Sequence, residues 1–100
     1  MSLTTHVLDV VRGVGAAGMV VDVVAPDGTT ASVALDDGGR ATLLEKVSAG
    51  TYEISFHAGA YQGGGFYSVI PVRFDVTDTQ LHYHVPLVLS AYGYSTYRGG

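Results

Sequence analysis

Cysteine and tryptophan are absent from this 100-residue chain, proline occurs only three times, and charged residues make up 14%. Without cysteine there is no disulfide framework, no thiolate nucleophile and no thiolate metal site. The charged share falls well below the soluble-protein norm of about 25%, which points to a surface partly buried against other copies of the chain. Basic residues are few and scattered: Arg12, Arg40, Lys46, Arg73 and Arg98 stand against nine acidic residues, for a formal net charge of -4. No basic stripe is available for nucleic acid. No apolar run is long enough to span a bilayer, so no membrane role is expected. The opening MSLTTHVLD lacks a basic segment leading into an apolar stretch, and a cytoplasmic protein is expected on that ground. Extended helical periodicity is missing as well.

What is present is a period of two, broken by glycine-rich and Asp-Gly turns. LTTHVLDVV alternates, with Thr4, His6, Leu8 and Val10 on one face and Leu3, Thr5, Val7 and Asp9 on the other. Either face can be the core face. RGVGAAG reads as a loop, MVVDVVA and TTASVALD as strands around the Pro26-Asp27-Gly28 turn, and ATLLEKV as a short strand. Arg40 follows the tight turn Asp37-Gly38-Gly39 directly. TYEISFHA places Tyr52, Ile54, Phe56 and Ala58 on one face. AYQGGGF is a loop, or at most one helical turn, because three consecutive glycines make helix costly. SVIPVRFDV turns Ile70, Val72, Phe74 and Val76 inward, and Pro71 assigns it to a sheet edge or a bulge. LHYHVPLVLS carries a continuous apolar row, Leu81, Tyr83, Val85, Leu87 and Leu89, which is the expected core side, so His82 and His84 point away from the core. YSTYRG closes the chain as a further strand. Seven to eight short strands without an internal repeat or linker predict an all-β sandwich, with residues 1–100 forming a single domain.

Four histidines carry most of the chemical potential. His57 sits at a strand end and reads as an ordinary surface histidine. His82 and His84 share a strand face, and with His6 they could hold zinc, but no cysteine or well-placed carboxylate joins them, so metal-free histidines are the favoured reading. No G-x-S-x-G nucleophile elbow occurs. Neutral histidine is the natural general base near neutral pH, and Arg40 on its turn suits an anionic, planar ligand or serves simply as a hairpin-end charge.

Several segments, in this order, resemble the 5-hydroxyisourate hydrolase family, the transthyretin-related proteins of urate breakdown. They are LTTHVLD, Gly38-Gly39-Arg40, TYEISFH, PVRFDV and the terminal HYHVPLVLSAYGYSTYRG. The last is the most specific, since the family ends Tyr-Arg-Gly-Ser and transthyretin proper does not. The resemblance implies a transthyretin-like sandwich with at most a very short helix, assembled as a homotetramer with active sites in a channel between dimers. It implies hydrolysis of 5-hydroxyisourate to 2-oxo-4-hydroxy-4-carboxy-5-ureidoimidazoline without metal or organic cofactor. The family's functional positions fall on His6, Arg40, His84 and Tyr97. His6 and His84 would activate water and move protons, with the choice of base left open. Arg40 would bind and polarise the substrate, and Tyr97 would line the slot. The alternative is a transthyretin-like protein that binds a small molecule in the same channel without catalysis. Three departures stand out: Gly100 replaces the terminal serine, AYQGGGF is short enough that the family's helix is expected to be lost or reduced, and Ala91 replaces a common proline.

Overall fold

The computed structural model describes residues 2–99 of the chain. The nine strands are β1 (Leu3–Asp9), β2 (Val14–Gly15), β3 (Val20–Val24), β4 (Thr30–Ala34), β5 (Arg40–Leu44), β6 (Gly50–Phe56), β7 (Ile70–Val76), β8 (Tyr83–Leu89) and β9 (Tyr94–Thr96). A single helical turn, α1 (Ala58–Tyr61), follows β6. The helix is therefore reduced rather than lost, and the three glycines after it forbid its extension.

Two sheets face each other. One runs β4-β3-β6-β7, with every pair antiparallel. In the other, β1 and β8 lie side by side in parallel, from Leu3 opposite Tyr83 to Asp9 opposite Leu89. The far edge of β1 is shared: β5 pairs with its first half and β2 with its last two residues. β9 closes the other edge beside β8. Pro71 lies on β7, the outermost strand of its sheet, where its missing N–H costs no ladder bond.

Inward-facing residues from both sheets form one core. Leu3 and Val7 of β1, Val21 and Val23 of β3, Tyr52, Ile54 and Phe56 of β6, and Leu87 and Leu89 of β8 are all at most 1% exposed. Each large side chain of this set contributes about 1.5–3 kcal/mol by leaving water. Tyr52 carries its polar end with it, since its hydroxyl donates to the Ser48 carbonyl at 3.1 Å and accepts the Ser48 N–H at 2.8 Å. Val72 and Phe74 are half-buried against this core, and the Phe74 ring stacks on Tyr52 with centroids 5.7 Å apart.

Three sequence readings need amendment. Leu81 does not join the core row: it is 42% exposed, because the β8 ladder begins only at Tyr83. The first strand stops at Asp9 rather than running on to Val11, because the buried Asp9 carboxylate turns the chain. Its Oδ1 accepts the N–H of Val11 at 3.0 Å and of Arg12 at 3.1 Å, while Oδ2 accepts the Tyr61 hydroxyl at 2.8 Å and ties α1 to β1. Within the loop read from RGVGAAG, Val14 and Gly15 form β2, a strand too short for alternation to show.

The fold also settles which face of β1 is outside. Leu3, Thr5, Val7 and Asp9 are buried, so Thr4, His6 and Leu8 lie on the outer face. On β8, Tyr83, Val85, Leu87 and Leu89 point inward, and His84 lies on the same outer face as His6.

Candidate active site

Register across three strands brings the candidate residues into one patch. His6 lies directly opposite Arg40 on β5, and Thr4 lies opposite Thr42 on that side and beside His84 on the other. The adjacent Val7 N–H donates to the Gly39 carbonyl at 2.9 Å. By the alternation of antiparallel ladders, His6 and Arg40 then form the non-hydrogen-bonded pair, the spacing at which facing side chains come closest. Thr4, Arg40, Thr42, His84 and Asp36 border an open depression of about 440 Å³.

Arg40 is set by the turn before it. The Asp36 carboxylate Oδ1 accepts the N–H of Gly38 and of Arg40, both at 2.9 Å, an Asx turn that fixes where β5 begins. Gly39 takes a φ of +77°, and a Cβ there would lie 2.6 Å from both the Val7 carbonyl oxygen and the Ala16 nitrogen. Only glycine fits, for conformation and for space. The same turn orients His6. Gly38 offers its carbonyl 3.1 Å from His6 Nε2, and a carbonyl only accepts, so Nε2 carries the proton and the neutral ring keeps its lone pair on Nδ1.

His84 is held from two sides. Its Nδ1 lies 2.9 Å from the Thr4 hydroxyl. On the other side the tail folds back, with the Gly99 N–H donating to the His84 carbonyl at 2.8 Å and a Cβ at Gly99 falling 2.5 Å from the His84 Cδ2. Glycine at 99 therefore lets the tail lie against the ring. Arg98 anchors the tail, its guanidinium 4.8 Å from the centroid of the Tyr83 ring.

Burial holds the His84 pKa below the ordinary imidazole value of 6.5, the Arg40 guanidinium acts in the same direction, and so does a proton on His6 or His82 when either ring carries one. The ring is thus neutral near pH 7. Arg40 is the strongest of the three charges, so Arg40→Gln raises the His84 pKa toward 6.5 without reaching it, because burial, the larger cause, remains. An NMR titration of the His84 ring reads this shift. A fall or no movement contradicts it.

Tyr97 is placed less closely. Thr96 lies opposite Leu87 and Gly99 opposite His84, and continuing that register sets Tyr97 beside Pro86, itself the neighbour of His6. It is 58% exposed and also borders the cleft between β7 and the tail. Gly100 lies outside the described residues. His57 belongs elsewhere: its Nε2 lies 2.7 Å from Asp22 Oδ2 on the other sheet. Among the described residues, no three His, Asp or Glu side chains converge as a metal would require. His82 instead engages Ser2 through Nδ1 and Thr4 through Nε2, both at 3.0 Å. Thr4 and Asp36 were not singled out from sequence. An aspartate four residues before Arg40 in a glycine turn was a readable signal, whereas Thr4 becomes visible only when β1 is set beside β8.

The outer face of a sandwich whose first and eighth strands run parallel thus carries two histidines and an arginine within three neighbouring strands. The chain belongs to the HIUase/Transthyretin family, whose profile matches residues 3–99. It is 45% identical over 112 residues to a 5-hydroxyisourate hydrolase of Deinococcus radiodurans, covering 97% of this chain and 94% of that protein. Among solved structures, Klebsiella pneumoniae 5-hydroxyisourate hydrolase superposes with a TM-score of 0.88 at 29% identity, over 99% of this chain and 98% of that one. Sea bream transthyretin in complex with thyroxine gives 0.85 at 28% identity, over 99% and 95%. One fold thus serves two functions, and the site must decide between them.

Proposed function

We propose that this protein hydrolyses 5-hydroxyisourate, opening its six-membered ring to give 2-oxo-4-hydroxy-4-carboxy-5-ureidoimidazoline. The observation that carries this reading is the gathering of His6, Arg40 and His84 on one sheet face by the register of β5, β1 and β8. A water oxygen bonds to the ring carbonyl carbon as one of the histidines takes its proton. The tetrahedral intermediate then collapses with cleavage of the carbon–nitrogen bond, and the nitrogen leaves protonated as part of the ureido group. Arg40, with its planar fork of donors, binds the oxygen-rich edge of the substrate and offsets the developing oxyanion. Tyr97 lines the slot and donates a hydrogen bond. No metal or organic cofactor takes part.

The site works in a homotetramer. On one chain the depression is open to solvent, and a second subunit over this face would exclude water and strengthen every charge interaction within it. The outer edges of β7 and β9 are available for pairing between subunits. Sedimentation should give a tetramer, and a monomer contradicts this arrangement.

The test of function is to add the purified protein to freshly generated 5-hydroxyisourate and follow its absorbance. The expected result is decay well above the spontaneous rate, unchanged by a metal chelator, with one oxygen from labelled water in the new carboxylate. Decay at the spontaneous rate favours the non-catalytic binding protein instead.

A further inference from the structure

Four side chains form an unbroken line of hydrogen bonds from the surface to the site. Ser2 Oγ lies 3.0 Å from His82 Nδ1, His82 Nε2 lies 3.0 Å from Thr4 Oγ1, and Thr4 Oγ1 lies 2.9 Å from His84 Nδ1. His82 is exposed, whereas Thr4 and His84 are half-buried. The line has a property that its parts lack. A threonine hydroxyl has one proton to donate, so Thr4 cannot donate to both rings at once. If it donates to His82 Nε2, then His84 Nδ1 carries the proton and His84 Nε2 is a bare base. If it donates to His84 Nδ1, then His84 Nε2 carries the proton and is an acid. The two polarities of one chain are the two protonation patterns that a base and then an acid need.

We propose that Ser2, His82 and Thr4 form a proton relay that sets the tautomer of His84 and exchanges its proton with solvent. This rests on His84 acting in the hydrolysis. In the first half of the cycle His84 Nε2 takes a proton from the attacking water. The His84 Nδ1 proton passes to Thr4 Oγ1, the Thr4 proton passes to His82 Nε2, and the His82 Nδ1 proton leaves past Ser2 to solvent. Each nitrogen or oxygen that gains a proton gives one up, so neither ring retains a net charge. When His84 Nε2 then protonates the departing nitrogen, one proton enters from solvent at His82 Nδ1 and the line returns to its first polarity. A neutral His84 matters here because burial and the Arg40 guanidinium oppose a lasting positive charge on that ring. Thr4 and His82 are positioning residues in this scheme, since they act only through His84.

The test uses Thr4→Val, which keeps the shape and removes the hydroxyl, Thr4→Ser, which keeps the hydroxyl, and His82→Ala. Thr4→Val and His82→Ala should each lower kcat about tenfold with KM within about twofold, less than the hundredfold or more that a directly acting acid or base supplies, because they act only through His84. Thr4→Ser should restore kcat to within about twofold. ¹⁵N NMR of the ring nitrogens should show the His84 tautomer populations altered in Thr4→Val and recovered in Thr4→Ser. Wild-type kcat and unaltered tautomers in Thr4→Val overturn the relay, as does wild-type kcat in His82→Ala. His84→Ala, run alongside, separates the two levels. Its inactivity beside a fully active Thr4→Val sinks the relay alone, while its full turnover sinks the relay and the assignment of His84 together.

Discussion

Replacing His84 by alanine is expected to lower kcat/KM for 5-hydroxyisourate by about a hundred- to ten-thousand-fold, the range that a general acid or base supplies. His6→Ala should cost a similar factor, and the double variant little more than the worse single one, because groups that act as a unit lose their contribution together. Geometry gives each ring a distinct free nitrogen. His6 donates through Nε2 to the Gly38 carbonyl and keeps Nδ1, while His84 is engaged at Nδ1 by Thr4 and keeps Nε2. Both rings lie on the outer face, away from the core, so the variants should stay folded and lose about 1 kcal/mol at most. Steady-state kinetics with a thermal melt on each variant separates lost chemistry from lost fold. Retained turnover in either single variant removes that histidine from the mechanism.

Gly39→Ala is expected to damage both stability and activity. A Cβ at this position meets backbone on two sides at 2.6 Å, and the φ of +77° is unfavourable for any residue with a side chain. The conformational cost is about 1–2 kcal/mol, and overpacking against backbone adds about 1–3 kcal/mol. The only relief is for the turn to move. That turn carries the carbonyl that fixes His6, the backbone that starts β5 at Arg40, and the bond from the Val7 N–H. A shift of about 1 Å in a positioned group can cost a hundredfold in rate, so kcat/KM should fall by that order while Tm drops. Gly38→Ala is the control. A Cβ there meets only the Asp36 carboxylate, at 3.5 Å, and no φ in the left-handed region is involved. Equal behaviour of the two variants would contradict the reading of the turn.

The alternation in TYEISFHA and in Tyr83 to Leu89 was enough to find the core, because each strand buries one face and period two records which. The turn before Arg40 and the edge position of Pro71 were legible for the same local reason: glycine and proline restrict the backbone wherever they occur. What alternation cannot record is which strand lies beside which. β1 and β8 are separated by most of the chain, so the pairing of Thr4 with His84, and with it the line through His82, has no local signature. Asp9 shows another limit. Its charge breaks the apolar pattern of the face it shares with Leu3 and Val7, yet it is buried because it caps the following turn and receives the Tyr61 hydroxyl. β2 fails for the simplest reason, being two residues long. The candidate residues His6, Arg40 and His84 came from family resemblance. The register of three strands then supplied a physical reason for them to act together.

The most direct test of that joint action is to follow freshly generated 5-hydroxyisourate with the wild-type protein and with the His6→Ala/His84→Ala double variant, at equal concentration and confirmed fold. Rapid decay with the wild type and decay at the spontaneous rate with the double variant is the result predicted. Equal fast rates for the two proteins would place the chemistry elsewhere than on this sheet face, and equal spontaneous rates would contradict catalysis altogether.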